Sequence, residues 1–207
     1  MKKIHLSLVA LTATLISLVS LGASAKVYDF KDPKGVNNIR FDLDAPLEAI
    51  SGTGNGITGT ISFDPAHPEN TTGEIILAAE SLIVPNSTMR EHLHGADWLN
   101  VKKKPSIVFT AASVDHFEQD GNVLKAHVSG SLQLNGTTRE VTVPVTFTHL
   151  PGRLGDRTRG LTGDLLVVRA SFAVNRSDYG IRPGQNLDTV AEEIQISLAL
   201  AGAAPDA

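Results

Sequence analysis

What most restricts the fold of this chain is an alternation of apolar and polar residues with period two. Ile39-Arg40-Phe41-Asp42-Leu43 alternates strictly, and Val141-Thr142-Val143-Pro144-Val145-Thr146-Phe147-Thr148 puts every apolar side chain on one side. Successive side chains of a strand point to opposite faces, so such runs read as strands with one buried and one wetted face. Residues 57–63, 74–82, 106–114, 123–134, 165–174 and 190–200 supply further candidates, eight strands in all. The segments between them, among them Asp64-Pro65, Gln119-Asp120-Gly121-Asn122 and Asn135-Gly136, hold residues that accept turn geometry, which implies antiparallel hairpins. Open sheet edges invite aggregation, so about eight strands must close or stack. The pattern predicts an all-β chain forming an eight-stranded antiparallel β-barrel, a size whose interior is either filled by side chains or holds one small ligand. Ala78, Ala111, Ala126, Ser129 and Ala170 are small candidates for the inner face and leave room there.

One stretch breaks the alternation. Between residues 87 and 100, Met89, Leu93 and Ala96-Asp97-Trp98-Leu99 sit nearer to helical spacing, with Asn86 or Ser87 as the cap. A short helical crossover there is expected to cover or flank the barrel mouth, with Trp98 at its wet rim. Ahead of the strands, Met1-Lys2-Lys3, an apolar run and Ala23-Ser24-Ala25 read as a secretory signal peptide over residues 1–25. Residues 26–207 then form one domain, in which 156–160 is a loop and Gly202 to Ala207 a small-residue tail. The absence of cysteine removes disulfides, thiol catalysis and thiolate metal sites, and a net charge of −4 gives no reason to expect nucleic-acid binding.

Few residue groups suggest chemistry. Gly54-Asn55-Gly56-Ile57-Thr58-Gly59 spells the dinucleotide-binding glycine pattern, but Thr60-Ile61-Ser62-Phe63-Asp64-Pro65 follows it as strand and turn where that motif needs a helix; it reads as a flexible hairpin. His92-Leu93-His94 with Asp97 nearby has metal-ligand residue types, yet two histidines two apart on a helix diverge, and His67, His116, His127 and His149 are scattered in sequence. One of the pair is better read as a hydrogen-bonding residue that pins the crossover to the barrel, and neither metal nor cofactor is expected. No nucleophile elbow is present. Arg153, Arg157, Arg159, Arg169, Arg176 and Arg182 are solubilising loop residues or, if some share one rim, a site for an anionic head group.

Four further stretches, in order, carry a resemblance. They are Gly59-Thr60-Ile61-Ser62-Phe63-Asp64-Pro65; His92-Leu93-His94-Gly95-Ala96-Asp97-Trp98-Leu99-Asn100 with Lys104-Pro105-Ser106-Ile107-Val108-Phe109; Gly130 to Val141; and Arg176-Ser177-Asp178-Tyr179-Gly180-Ile181. Over most of residues 36 to 200 the chain resembles the YceI-like family of exported bacterial lipid-binding proteins. The resemblance implies a lipocalin-like barrel holding a polyisoprenoid or other long-chain amphiphile, and implies no catalysis. Before His92 the chain has Met89-Arg90-Glu91, where family members tend to carry Arg-Asp and one further residue.

Taken together, these readings lead us to expect a periplasmic, or alternatively secreted, carrier of an isoprenoid-like lipid such as a quinone, a polyprenyl chain or a fatty-acid derivative. Phe41, Phe63, Leu77, Trp98, Phe109, Leu134, Phe147, Phe172 and Tyr179, the large apolar members of alternating strands or of the crossover, are the expected ligand-binding residues. A homodimer is one assembly such a chain can form. The competing expectation is a hydrolase or isomerase using the same cavity, with His92 or His94 as general base.

Overall fold

The computed structural model describes residues 25–206, so the segment expected to be a signal peptide, except for Ala25, lies outside the described residues. The strands are β1 (Lys26–Asp29), β2 (Asn38–Asp44), β3 (Ala49–Gly54), β4 (Ile57–Phe63), β5 (Thr72–Ala78), β6 (Ser106–Asp120), β7 (Val123–Leu134), β8 (Thr137–Leu150), β9 (Gly163–Asn175) and β10 (Glu193–Pro205). Helix α1 (Ser87–His94) lies between β5 and β6, and the single turn α2 (Leu154–Arg157) between β8 and β9. Hydrogen bonding runs antiparallel through β1, β4, β5, β6, β7, β8, β9 and β10, and Asp29 opposite Ala203 joins the last to the first. Eight strands therefore make a closed ring. Further along β10, residues 195–199 pair with β2, which carries β3 on its other side.

The alternation appears as expected in the longest hairpin. On β7, Leu124, Ala126, Val128, Leu132 and Leu134 are buried, and on β8 so are Val143, Val145 and Phe147. Asn135 and Gly136 join these strands with φ of 51° and 74°, the doubly left-handed two-residue turn that matches strand twist. Helix α1 has the expected cap, since Asn86 Oδ1 accepts the Met89 N–H at 3.0 Å.

Several expectations need correction. The ring has eight members, but β1 is one of them, while the 39–43 run lies in β2 beside it. β1 is too short to show a period, and β3 contains two glycines that resemble a turn. Ser129 faces outward and exchanges a 2.8 Å hydrogen bond with Thr142. The glycine-rich 54–59 segment forms no hairpin: β3 pairs with β2, whereas β4 pairs with β1 and β5. Gly56 is needed there for close packing, because a Cβ would stand 2.8 Å from that of Ser81. Residues 202–205 continue β10 against β9, and the 156–160 loop begins inside α2.

One side chain closes the seam where β10 passes from β1 to β2. Ala201 lies between those pairings, and the buried Asn37 amide takes the place of a strand: its Nδ2 donates to Ala201 O at 3.1 Å and its Oδ1 accepts from Ala201 N at 2.9 Å. Nδ2 also donates to Phe30 O at 3.0 Å. Asn37 is held in turn by Asp32, whose carboxylate accepts the backbone N–H groups of Lys34, Val36 and Asn37 at 3.0, 2.7 and 2.9 Å. Arg157 of α2 completes the knot, donating to Asp32 at 2.8 Å and to Asn37 Oδ1 at 3.2 Å.

Replacing Asn37 by alanine strands an N–H and two carbonyls. At about 1–3 kcal/mol for each unsatisfied buried group, and with partial relaxation, Asn37→Ala is expected to cost roughly 2–4 kcal/mol in denaturant titration. A loss below about 0.5 kcal/mol would mean that the seam does not depend on it. Asp32 gives the fold an acid-side dependence. Burial alone would raise its pKa, but the three N–H donors and Arg157 outweigh this and hold it below the usual carboxylate range. Its stabilisation is thus complete above the unfolded value near 4 and is lost as pH falls through the lower folded value. Asp32→Asn should reduce stability at neutral pH and flatten its decline below about pH 5, measured as Tm against pH.

Candidate functional site

The inner faces of the strands do not meet. They leave a cavity of about 310 Å³, bordered almost wholly by aliphatic and aromatic side chains; its polar-bearing members are Thr71, Thr72, His92, Arg176 and the indole of Trp98. Ala111 and Ala170 are short residues of its wall, and Gly73 lets β5 approach β4, since a Cβ there would stand 2.5 Å from Thr60 O. Large residues such as Ile107, Phe172, Ile194 and Leu198 remain only partly buried because the cavity is what they face.

The two ends of the barrel differ. At the floor, where β4, β8 and β10 end and β9 begins, Phe63 stacks on Phe147 at 5.5 Å, and His149 sits 6.1 Å from Phe63 and 6.3 Å from Tyr28. Phe30 and Leu166 are fully buried. Burial, and then the nearby Asp164 charge, push the Tyr28 phenol up to about 12, so it stays neutral. Asp164 lies at the outer edge of the floor, where burial would raise its pKa but a 2.7 Å bond from Lys26 and one from Gly152 N–H lower it overall.

The mouth is built by α1, the 95–104 turn, and the 180–192 segment after β9. Met89, His92, Leu93, Trp98 and Leu99 all border the cavity, as expected of a crossover that flanks the entrance. Arg176 is 1% exposed, yet its guanidinium serves main-chain carbonyls: Ala191 at 3.0 Å, Ile181 at 2.9 Å, Arg182 at 2.5 Å, Val190 at 3.3 Å and Gln185. It ties the 180–192 segment into a rim. Glu192 stands beside it, its pKa held down chiefly by hydrogen bonding from Ser177 and also by the Arg176 charge. Two cations lie against the Trp98 ring, Arg176 at 5.9 Å and Arg182 at 5.5 Å from its centroid.

Two of the six arginines, Arg176 and Arg182, share the mouth beside Trp98; Arg153 and Arg157 lie at the floor end in and beside α2, Arg159 is exposed in the turn that follows, and Arg169 donates to the Val168 and Leu200 carbonyls. The two α1 histidines diverge as their helical spacing requires. His92 borders the cavity, whereas His94 Nε2 bonds Leu82 O at 2.7 Å. A carbonyl only accepts, so that nitrogen carries the proton and pins the crossover to the wall. Neither histidine hydrogen-bonds a carboxylate or hydroxyl among the described residues.

Of the nine residues expected at the ligand, Phe41, Leu77, Trp98, Phe109, Leu134, Phe147 and Phe172 border the cavity. Phe63 and Tyr179 do not: Phe63 lies behind Phe147 in the floor, and Tyr179 is buried in the turn after β9, its carbonyl accepting from Asn135. Most of the wall is aliphatic and lies outside the expected set. Its sequence signal is in β10, where Ile194, Ile196, Leu198 and Leu200 recur with one phase and all border the cavity.

Residues 34–201 match the family model described as the YceI-like domain. The chain belongs to the YceI-like family. A UPF0312 protein of Pseudomonas putida is 30% identical over 148 residues, 71% of this chain and 72% of that protein. Protein YceI of Escherichia coli O157:H7 is 29% identical over 193 residues, 91% and 94% of the two chains. Among solved structures, a polyisoprenoid binding domain from Saccharophagus degradans, implicated in plant cell wall breakdown, superposes with a TM-score of 0.63 at 13% identity, covering 86% of this chain and 98% of that one. In this YceI-like barrel no described helix is long and apolar enough to cross a membrane.

The two ends should differ in energy. Phe147 is 3% exposed and stacked, so Phe147→Ala is expected to cost about 3–5 kcal/mol. Trp98 is only partly buried at the rim, and Trp98→Ala should cost clearly less. Denaturant midpoints of the two variants decide it; the reverse order would make the crossover part of the core.

Proposed function

We propose that this protein binds one long-chain, isoprenoid-like lipid in the barrel, tail toward the aromatic floor and head group at the mouth, as a periplasmic carrier exported by residues 1–25. The observation that carries this reading is the apolar cavity, closed by aromatics at one end and rimmed at the other by His92, Trp98 and two arginines. Each methylene moved from water into such a space contributes about 0.8 kcal/mol, so a tail binds tightly without covalent attachment. A polar small molecule would leave its hydrogen-bonding groups unpaired there. Membership of the family and the polyisoprenoid-binding function named for the Saccharophagus degradans domain support the same choice. Under this reading Phe41, Leu77, Phe109, Leu134, Phe147 and Phe172 contact the tail and Trp98 its polar end, while Phe63 and Tyr179 back the wall. A binding role, with no reaction catalysed, is the reading we adopt, because the cavity is bordered almost wholly by apolar side chains and its one histidine, His92, has no carboxylate partner among the described residues.

Protein purified from its native host should release a long-chain lipid on solvent extraction, seen by mass spectrometry, and added quinone should quench the single tryptophan. Ala170→Phe fills the lumen and should weaken quinone binding at least tenfold, as expected from displacing about two methylenes. Trp98→Ala should weaken it too, while His92→Ala should leave no hydrolytic activity to lose. No extracted lipid, together with quinone titrations unchanged by Ala170→Phe, would end this reading.

A further inference from the structure

Outside the barrel, on the β6–β7 hairpin, a backbone irregularity gathers three metal-binding side chains that sequence spacing leaves apart. Asp115 lies directly opposite His127, and Glu118 directly opposite Lys125, so His116 and Phe117 together face Ala126 alone. This is a β-bulge, one extra residue in one strand. In an unbroken strand His116 would point away from Asp115. Instead His116 takes a left-handed φ of 52°, its Nδ1 lies 2.6 Å from Asp115 Oδ1, and its ring centroid is 5.0 Å from that of His127. Asp115, His116 and His127 each offer a ligand atom within 4.8 Å of the other two, and all three are exposed.

Non-glycine residues take this backbone region at a cost that surrounding structure must offset, and bulges commonly re-aim a side chain at a functional site. Two imidazoles and a carboxylate are the donor set favoured by divalent ions of the zinc and copper group; calcium and magnesium prefer all-oxygen shells. Lys125, two residues from His127, lies opposite Glu118 in the ladder, and Arg40 and Arg169 line the same outer groove as His116 and His127. We propose that Asp115, His116 and His127 form a surface site for one divalent transition-metal ion, with its remaining positions open to water or to an outside ligand. The site lies on the outer surface and does not depend on what the lumen holds. By joining β6 to β7 across the bulge, the ion also stabilises the folded hairpin, because the unfolded chain has no such site.

The test is calorimetric titration of Zn²⁺ and Cu²⁺ into the full protein, produced without a histidine tag, together with Tm with and without the ions. One ion per chain is expected, with a rise in Tm. His127→Ala and His116→Asn should each weaken binding at least tenfold and abolish the Tm rise; asparagine tolerates the left-handed backbone, so the bulge survives. Asp115→Asn should weaken binding by less. His92→Ala and His67→Ala should bind as the parent does. Copper bound to the parent should show two imidazole nitrogens by electron paramagnetic resonance. Absence of saturable binding at submillimolar metal overturns the proposal, as does unchanged affinity in His116→Asn and His127→Ala, or loss of the ion only with His92→Ala. All of these residues are exposed, and circular dichroism confirms that each variant folds.

Discussion

A closed sheet admits no free edge, and here closure depends on the amide of Asn37. Strand β10 is too long for either of its neighbours on that side, so β1 covers one part and β2 another. The residue between them would have an N–H and a carbonyl facing nothing. Asn37 supplies one acceptor and one donor with the spacing of a peptide group, and Asp32 and Arg157 hold it in place. A hydrophobic residue of similar size would bury as much area and still leave the seam unpaired. In a barrel whose wall is one residue thick, an unpaired pair of backbone groups is also a route for water into an apolar interior.

That interior is what closure makes available. A sandwich of two sheets brings inner side chains together until they interdigitate, whereas a ring of eight strands sets a minimum distance across itself. Short residues at 111 and 170 leave room in the middle, and aromatic rings fill one end. The unfilled part lacks the dispersion contacts that a packed core of the same residues would make. Stability here therefore leans on the hydrogen-bonded wall and on the packed floor, and the mouth is free to be assembled from irregular segments tied together by Arg176.

How much was legible in the sequence follows from what each part depends on. Burial on one face is a local property, so β7 and β8 announced themselves, and so did the interruption before Trp98. Asn-Gly at 135–136 was legible for the same reason, since turn chemistry is local. β1 and β3 were not legible: four residues with one buried tyrosine have no measurable period, and the glycines of β3 answer to neighbours far away in sequence. Gly202 looked like tail composition but is small because the Phe30 ring lies against it. In the candidate site, size picks out the large residues of several strands, whereas the aliphatic lining of β10 shows only in its phase. The phase of Phe63 tells which face it is on but not how far along the barrel it sits, and it lies in the floor against Phe147. The gathering of His116 with His127 depends on a bulge, which inverts the phase of β6 where Asp115, His116, Glu118, Gln119 and Asp120 are polar and carry no alternation to show it.

The pairing of Asp29 with Ala203 joins the first described strand to the last. A chain made and delivered from its N-terminus therefore has every other strand available before the ring can shut. Until β10 arrives, β1 and β9 are both open edges and the inner face is a curved, wet, apolar trough. Loop-closure entropy for so distant a pair is offset only once β10 has also paired along β9. Ring formation is thus a late and cooperative event. The final thirteen residues of β10 act as a latch on the whole molecule, so that a chain cut short by one strand yields an open sheet and not a smaller barrel.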